Sequence, residues 1–237
     1  MNYFTINGRP CTDFGVQVSV GGALNSPSRD VTYHQIPGRN GDLVEDNGRF
    51  NNLTYTYRCL LRGKDSVDFR EKFAGFRKWI GSHVGYQRIE DTYSPDEFRL
   101  GIVSSTLMPE MVGTGVVAAE FDVTVNSKPQ RYLKSGENEI TVTNGQTLYN
   151  DGYAARPLIT VYGSSGGTLT VGDYSMTISA IDGYVTLDCE AQDAYKGTTN
   201  KNTTVSTTFP VLEPGSNTIS WSGGITSVVI VPRWWVI

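Results

Sequence analysis

Few residues of this 237-residue sequence have a type and spacing that could carry out chemistry. His34 and His83 are the two histidines, and neither lies in a His-x-x-x-His or His-Glu-x-x-His pattern. Cys11, Cys59 and Cys189 are far apart and show no Cys-x-x-Cys spacing, so neither a zinc site nor a redox motif is indicated. We therefore predict no catalytic residue, no metal ligand and no cofactor.

Two other kinds of site receive no support. The glycine-rich run Gly163–Gly167 lacks the Lys-Ser/Thr of a phosphate-binding loop, and we predict a hairpin turn there. Glycoside hydrolysis needs two carboxylates across a cleft, and the sequence singles out no such pair among its 24 acidic residues. An enzyme with an unrecognised site remains a rival hypothesis to a non-catalytic role.

Charge and hydropathy exclude several kinds of partner. The formal net charge is −4, without the basic surplus that drives phosphate binding, so no sequence-specific nucleic-acid partner is predicted. No stretch approaches the roughly 18 consecutive apolar residues of a membrane span, and the N-terminus lacks the pattern of a signal peptide. We predict no membrane insertion, and the reduced thiols suit assembly in a cytoplasm.

In the first half, strand patterns surround one helix. Thr54–Leu61 and Glu120–Val125 alternate with the period of two that is typical of strands. Lys64–Ile80 is the predicted helix, with one apolar stripe, a possible cap at Ser66 and a stop at Gly81. The stripe comprises Phe69, Phe73, Phe76 and Ile80.

A glycine-punctuated segment, Pro37–Arg49, lies between a predicted short strand, Val16–Val20, and the strand pattern at Thr54–Leu61. Asn40-Gly41 indicates a tight turn, and the segment reads as a hairpin arm that carries Leu43, Val44 and Phe50. A compact domain cannot bury such an arm, whereas a second subunit can. The predicted subunit-interface residues are Pro37, Gly38, Arg39, Gly41, Asp42 and Leu43. Arg39 has a guanidinium suited to a carboxylate across an interface, and a solvated arm tip is the alternative.

After about Tyr132 only strand patterns remain, which predicts an all-β sandwich of about 100 residues. We place the domain boundary so that residues 1–130 and 131–237 form two domains. Gly223-Gly224 is predicted as a turn, and Thr203–Thr207 as a weak edge strand. Trp221, Trp234 and Trp235 are candidates for core packing, for a contact with a partner, or for stacking on sugars.

The order of these features resembles the distal tail (Dit) family of phage tail proteins, over essentially the whole chain. The matching segments include Thr5-Ile6-Asn7-Gly8, Ile36–Leu43, Arg88–Phe98, Arg156–Ile159, Leu212–Ile219 and Val231–Trp235. Each is weakly specific, and their order and spacing carry the resemblance.

The resemblance implies a mainly β fold: an N-terminal β-sandwich-like ring domain with one α-helix and an extended hairpin, plus a C-terminal galectin-like β-sandwich. It implies a structural homo-hexameric ring at the distal end of the phage tail, made in the host cytoplasm, which lets DNA pass. The implied partners are other copies, the tail tube protein, the tail-associated lysin or fibre hub protein, and receptor-binding or baseplate proteins. The alternative is a carbohydrate-binding β-sandwich protein that contributes to recognition of the host surface.

Overall fold

The computed structural model describes residues 1–21, 25–113 and 117–237, which form two compact units. The first comprises Met1–Arg131 and Ile237, and the second comprises Tyr132–Val236. Each has its own hydrophobic core. The predicted mainly β class is confirmed, with one α-helix among the described residues. That the first unit forms a ring, and that the second is galectin-like, stay predictions.

The first unit is an antiparallel sheet with one helix and a separate hairpin. Its elements are β1 Phe4–Ile6, β2 Arg9–Pro10, β3 Val16–Val20, β4 Arg29–His34, β5 Leu43–Phe50, β6 Leu53–Arg62, α1 Ser66–Gly81, β7 Gln87–Asp91, β8 Glu97–Val103, β9 Glu110–Met111 and β10 Ala118–Ser127. The sheet order is β2-β1-β7-β8-β10-β6-β3, and β9 pairs with β10. The strands β4 and β5 pair only with each other within the described residues, so they form the hairpin.

The period-two pattern of the sequence places one face of β6 in the core. Tyr55, Tyr57, Cys59 and Leu61 are buried, whereas Thr54, Thr56 and Arg62 are exposed. β10 alternates in the same way and pairs with β6 along its whole length. Because neighbouring side chains of a strand point to opposite faces, the second face of this sheet is polar.

Helix α1 covers the apolar face with the predicted stripe. Phe69, Phe73, Phe76 and Ile80 are all buried, and Trp79 joins them. Both predicted ends need correction. Asp65 rather than Ser66 is the N-cap, because its carboxylate accepts the amide protons of Val67 and Asp68 at 2.9 Å. The helix also continues through Gly81, and Ser82 is its C-cap.

The second unit consists of strands and short 3₁₀ turns. Its strands are β12 Ile140–Val142, β13 Gln146–Asn150, β14 Leu158–Val171, β15 Tyr174–Ile178, β16 Gly183–Asp188, β17 Asp193–Lys196, β18 Thr199–Asn200, β19 Gly215–Val231 and β20 Trp235–Val236; β11, Arg131–Leu133, crosses the sequence boundary of the two units. The order is β12-β19-β14-β16-β17-β18, while β13 pairs with β19 and β15 with β14. The long strands β14 and β19 pair with each other, and each also pairs with two shorter strands: β15 and β16 for β14, and β12 and β13 for β19.

The predicted turns at Gly163–Gly167 and Gly223-Gly224 are wrong, since both segments lie inside long strands. β14 and β19 pair on both sides of these glycines, with shifts of register between Tyr162 and Gly163 and between Gly163 and Gly167. A Cβ on Gly163 would lie 2.4 Å from the carbonyl oxygen of Gly224. The glycines allow two backbones to approach more closely than side chains would permit.

The predicted edge strand Thr203–Thr207 is also wrong. Asn202–Thr204 is a 3₁₀ turn, and an isolated bridge joins Val205 to Ile178. The side chain of Asn202 holds this turn, because its Oδ1 accepts the amide proton of Ala194 at 2.6 Å and its Nδ2 donates to Asp193 at 2.7 Å. Side-chain hydrogen bonds of this kind compete with strand pairing.

Candidate functional site

The hairpin of β4 and β5, residues 29–50, is the candidate functional site, and we call it the arm. Its strands pair Tyr33 with Val44 and His34 with Leu43. The last residues of the predicted segment, Asp46–Arg49, lie within β5, where Gly48 has a φ of 72°. The hairpin thus begins before the predicted segment, at Arg29, and β4 supplies half of it.

One face of the arm is largely apolar. Register partners lie on the same face, which places Tyr33 and Val44 beside Val31 and its partner Asp46. Asp46 accepts a hydrogen bond from Arg29 at 2.7 Å, so the apolar part of this face lies towards the tip, at Tyr33 and Val44. Tyr33 is 63% exposed and Val44 is 54% exposed. At the base of the same face, the guanidinium of Arg29 lies 5.0 Å from the ring centroid of Phe50. Large apolar side chains left this open are typical of surfaces that bind another molecule.

The opposite face is held by polar contacts. Arg49 bonds Asp30 at 2.6 Å, and His34 bonds Glu45 at 2.8 Å. Hydrogen bonds from Asn47, the larger cause, and from Arg49 lower the pKa of Asp30 below its usual value. These pairs are largely exposed and stabilise the arm only weakly. Because they join residues of β4 to residues of β5, they favour the observed register of the hairpin.

The tip of the arm carries the predicted interface residues. Its hydrogen-bonded turn lies at Ile36–Arg39, where the amide of Arg39 donates to the carbonyl of Ile36 at 3.2 Å, rather than at the predicted Asn40-Gly41. Pro37 followed by Gly38, whose φ is 79°, is the signature of a type II turn. Gly41 also has a positive φ. The structure therefore brings all six predicted residues together: Pro37, Gly38, Arg39, Gly41, Asp42 and Leu43.

The tip is open to solvent. Residues 37–43 are exposed, and Leu43 and Ile36 are 50% and 39% exposed. Among the ion pairs of the described residues, none involves Arg39 or Asp42. Both charges face water within the single chain, so both are available to a partner.

The three candidate tryptophans lie together with the core of the second unit. Trp221, Trp234 and Trp235 are half-buried and pack against that core. The ring of Trp235 stacks on Tyr153 with centroids 4.8 Å apart, and its Nε1 donates to the carbonyl of Ala154 at 3.0 Å. These contacts occupy the ring of Trp235 and do not favour stacking on a sugar at this place.

A charged cluster on the polar face of the first unit's sheet was not predicted. The guanidinium of Arg58 lies 3.2 Å from Glu110, 3.0 Å from Glu120 and 3.3 Å from Asp122. Hydrogen bonds to Glu120, Asp122 and Glu110 raise the pKa of Arg58. Three carboxylates surround one cation, so the cluster is acidic. Met108 and Val112, which flank Glu110 in sequence, are 72% and 45% exposed.

Sequence reasoning also missed Tyr33 and Ile36 in the arm. A signal was present, because Val31 and Tyr33 alternate with Thr32 and His34 as in a strand. The acidic cluster had no such signal, since its members come from three strands, and only the register of β6, β9 and β10 brings them together.

Within residues 1–21, 25–113 and 117–237, no group of three or more His, Cys, Asp and Glu side chains is placed to hold a metal ion. In the same part of the chain, no helix has the length and apolar character needed to cross a membrane.

Comparison with known proteins finds similarity in structure alone. No family model and no curated protein matches the sequence. The crystal structure of SPP1 Dit (gp 19.1), described as a paradigm of the hub adsorption apparatus in phages that infect Gram-positive hosts, matches with a TM-score of 0.78 and 12% identity over 97% of this chain and 98% of that one. Structures of the phage p2 baseplate in its activated conformation, with Sr and with Ca, match at TM-scores of 0.53 and 0.54 and 11% identity, each over 97% of this chain and over 98% and 97% of theirs. The chain therefore has the fold of phage Dit proteins, as the resemblance in its sequence predicts.

Proposed function

We propose that this chain is a structural component of the phage tail tip, a distal tail protein whose copies form a homo-hexameric ring. The observation that carries the proposal is the exposed arm, residues 29–50, on a fold shared with SPP1 Dit along 97% of the chain. The role is that of a scaffold and not of an enzyme.

The arm supports an assembly because its stability needs a partner. An isolated two-stranded hairpin is at best marginally stable in water. Tyr33, Ile36, Leu43 and Val44 are each 39–63% exposed. Burying the open half of such a side chain contributes about 1 kcal/mol. A second copy that covers the arm would stabilise both its order and the assembly.

A contact between an arm and a different surface of the next copy is head-to-tail. Such contacts close into a ring when the rotation per copy divides a full turn. We assign ring formation to the first unit, which contains the arm, and propose that the second, galectin-like unit serves as a platform. The proposed partners are the tail tube protein, the tail-associated lysin or fibre hub protein, and receptor-binding or baseplate proteins.

The proposed location is the distal end of the tail in the virion, after synthesis in the host cytoplasm. DNA then passes through the centre of the ring. We expect a lumen without a strong basic lining, because basic walls would retain phosphates. The net charge of −4 is compatible with such a lumen.

Electron microscopy of intact tails tests the proposal. A six-fold ring at the tail tip, labelled by an antibody against this chain, is the expected result. A ring of another order, or absence of this chain from the tip, would overturn it. Purified chain is the weaker sample, since the ring is held between tail partners in the particle.

Arg39→Ala tests the arm tip directly. We expect weaker ring assembly with an unchanged melting temperature, because the Arg39 side chain is exposed and has no ion pair among the described residues. Arg156→Ala, at an exposed arginine of the second unit, is the matched control. Normal assembly of Arg39→Ala would identify the tip as a solvated loop.

Carbohydrate binding by the second unit is the second candidate function, favoured by two tyrosines rather than by the tryptophans. Tyr162 is 41% exposed, and its ring centroid lies 6.1 Å from that of its cross-strand partner Tyr184. Adjacent open aromatic rings can stack on the apolar face of a sugar. Binding on a glycan array that Tyr162→Ala abolishes and Tyr149→Ala preserves would support it; an array without signal would remove it.

A further inference from the structure

The first unit carries two exposed surfaces with complementary chemistry. One is the arm tip, where Arg39 lies between Ile36 and Leu43 in sequence. The other, which we call the β9 surface, comprises Met108, Glu110, Val112, Glu120 and Asp122 around Arg58. We propose that the β9 surface of one copy receives the arm tip of the next copy.

Each surface offers apolar side chains to the other. Met108 and Val112 are 72% and 45% exposed on the β9 surface. Ile36 and Leu43 are 39% and 50% exposed at the arm tip. Among the described residues, neither pair is part of the buried hydrophobic cluster of a unit. Both pairs are therefore left open to solvent within the single chain. Mutual burial removes both apolar surfaces from water.

Charge favours this pairing over contact between two β9 surfaces, and we assign Arg39 rather than the neighbouring Asp42 to the carboxylates of the β9 surface. The β9 surface has three carboxylates and one guanidinium, and Glu110 is 74% exposed, so it retains a carboxylate face for another cation. The arm tip presents Arg39 with no ion pair among those of the described residues. A guanidinium matches a carboxylate with two parallel hydrogen bonds. Two β9 surfaces would repel one another.

The geometry of the contact follows from the difference between the two surfaces. An arm that binds an unlike surface on the next copy leaves its own β9 surface free for the preceding copy, which is the repeating contact of a ring. This inference rests on the proposed ring, and it adds the surface that the arm contacts.

Crosslinking between two single-cysteine variants tests the contact. Leu43→Cys and Val112→Cys are mixed at high concentration, treated with a short bismaleimide, and also examined in tails assembled with both variants. We expect at least about tenfold more heterodimer than from Leu43→Cys mixed with Tyr149→Cys, whose cysteine is exposed in the second unit. The native cysteines are buried, so they contribute little background. Equal yields in the two mixtures would overturn the inference.

Charge reversal gives the second measurement. Arg39→Glu and Glu110→Arg should each weaken association at least tenfold in sedimentation velocity or in tail assembly, and the double variant should restore it. Unchanged melting temperatures exclude misfolding of the single variants. Rings at the tail tip with crosslinks from Leu43→Cys to some other surface would refute this contact and leave the proposed function standing. Absence of both rings and crosslinks between copies would refute both.

Discussion

Gly167→Ala should destabilise the second unit, because Gly167 sits where β14 and β19 approach closely. A Cβ at this position would lie 2.4 Å from the carbonyl oxygen of Ser222 and 2.8 Å from Cγ1 of Ile225. Ordinary contacts between heavy atoms lie near 3.5–4.0 Å. Both neighbours are fixed, one by its backbone and one by burial, so the strands themselves must separate by about 1 Å.

The magnitude follows from two opposing effects. Inserting a methyl group into a packed region costs about 1–3 kcal/mol. Replacing glycine by alanine restricts the unfolded chain and returns roughly 0.4–1 kcal/mol. The net loss is about 1–2 kcal/mol, which lowers the melting temperature of a domain of this size by about 5–10 °C.

Differential scanning calorimetry measures the effect, and tryptophan fluorescence assigns it, since three of the four tryptophans lie in the second unit. Gly81→Ala is the matched control, because a Cβ there meets nothing within 4 Å. Ser164→Ala controls for change in the same strand. A melting temperature for Gly167→Ala within about 1 °C of the parent chain would refute the argument, since the predicted loss is several times larger.

Other substitutions and conditions test further parts of the structure. Asp65→Ala should cost about 1 kcal/mol in urea unfolding because it removes the cap of α1, while Ser66→Ala should cost little; the reverse order would contradict the assigned cap. Asp188→Asn should lose about 1 kcal/mol at pH 7, because Arg233 bonds that carboxylate at 2.7 and 3.1 Å in a partly exposed site. The hydrogen bond from Arg233 lowers the pKa of Asp188 below its usual value of 3.8. The stability that this ion pair contributes is therefore present above that pH and is lost as the pH falls through the native pKa. A difference in unfolding free energy between variant and parent that persists at low pH would count against the pair. Burial raises the pKa of two thiols to about 11 and about 12, so native protein should react with a thiol reagent at pH 8 far more slowly than urea-unfolded protein, and fast labelling of the native chain would argue against burial of Cys11 and Cys189.

Local patterns in the sequence predict the fold where one element supplies its own signal. The stripe of α1 and the alternation of β6 need no knowledge of their neighbours, and both were predicted correctly within two residues at each end of the helix. The N-cap of α1 was not predicted, because Asp65 and Ser66 are equally good caps by type. Which of them caps depends on the backbone conformation that enters the helix.

The sequence does not distinguish a glycine in a turn from a glycine where two strands touch. Gly163–Gly167 and Gly223-Gly224 have the composition of turns, yet they face one another across β14 and β19. A Cβ on Gly224 would meet the main chain of Ser165 at 2.8 Å. The cause is therefore a contact between residues about 60 positions apart, which no local pattern contains.

The position of the arm, in contrast, could be predicted from a local pattern. The arm was recognisable because its residues have conflicting preferences. Gly38, Gly41 and Gly48 favour an open hairpin, whereas the apolar side chains of Leu43 and Val44 favour contact with another apolar surface. In a single chain both demands cannot be met, and the structure leaves those side chains in water. Because natural sequences rarely retain a conflict between local and packing preferences without a use, the unmet preference supports our proposal that a second molecule binds at the arm. The β9 surface escaped prediction since its carboxylates are unremarkable along the chain, and they form a surface only when β6, β9 and β10 are paired.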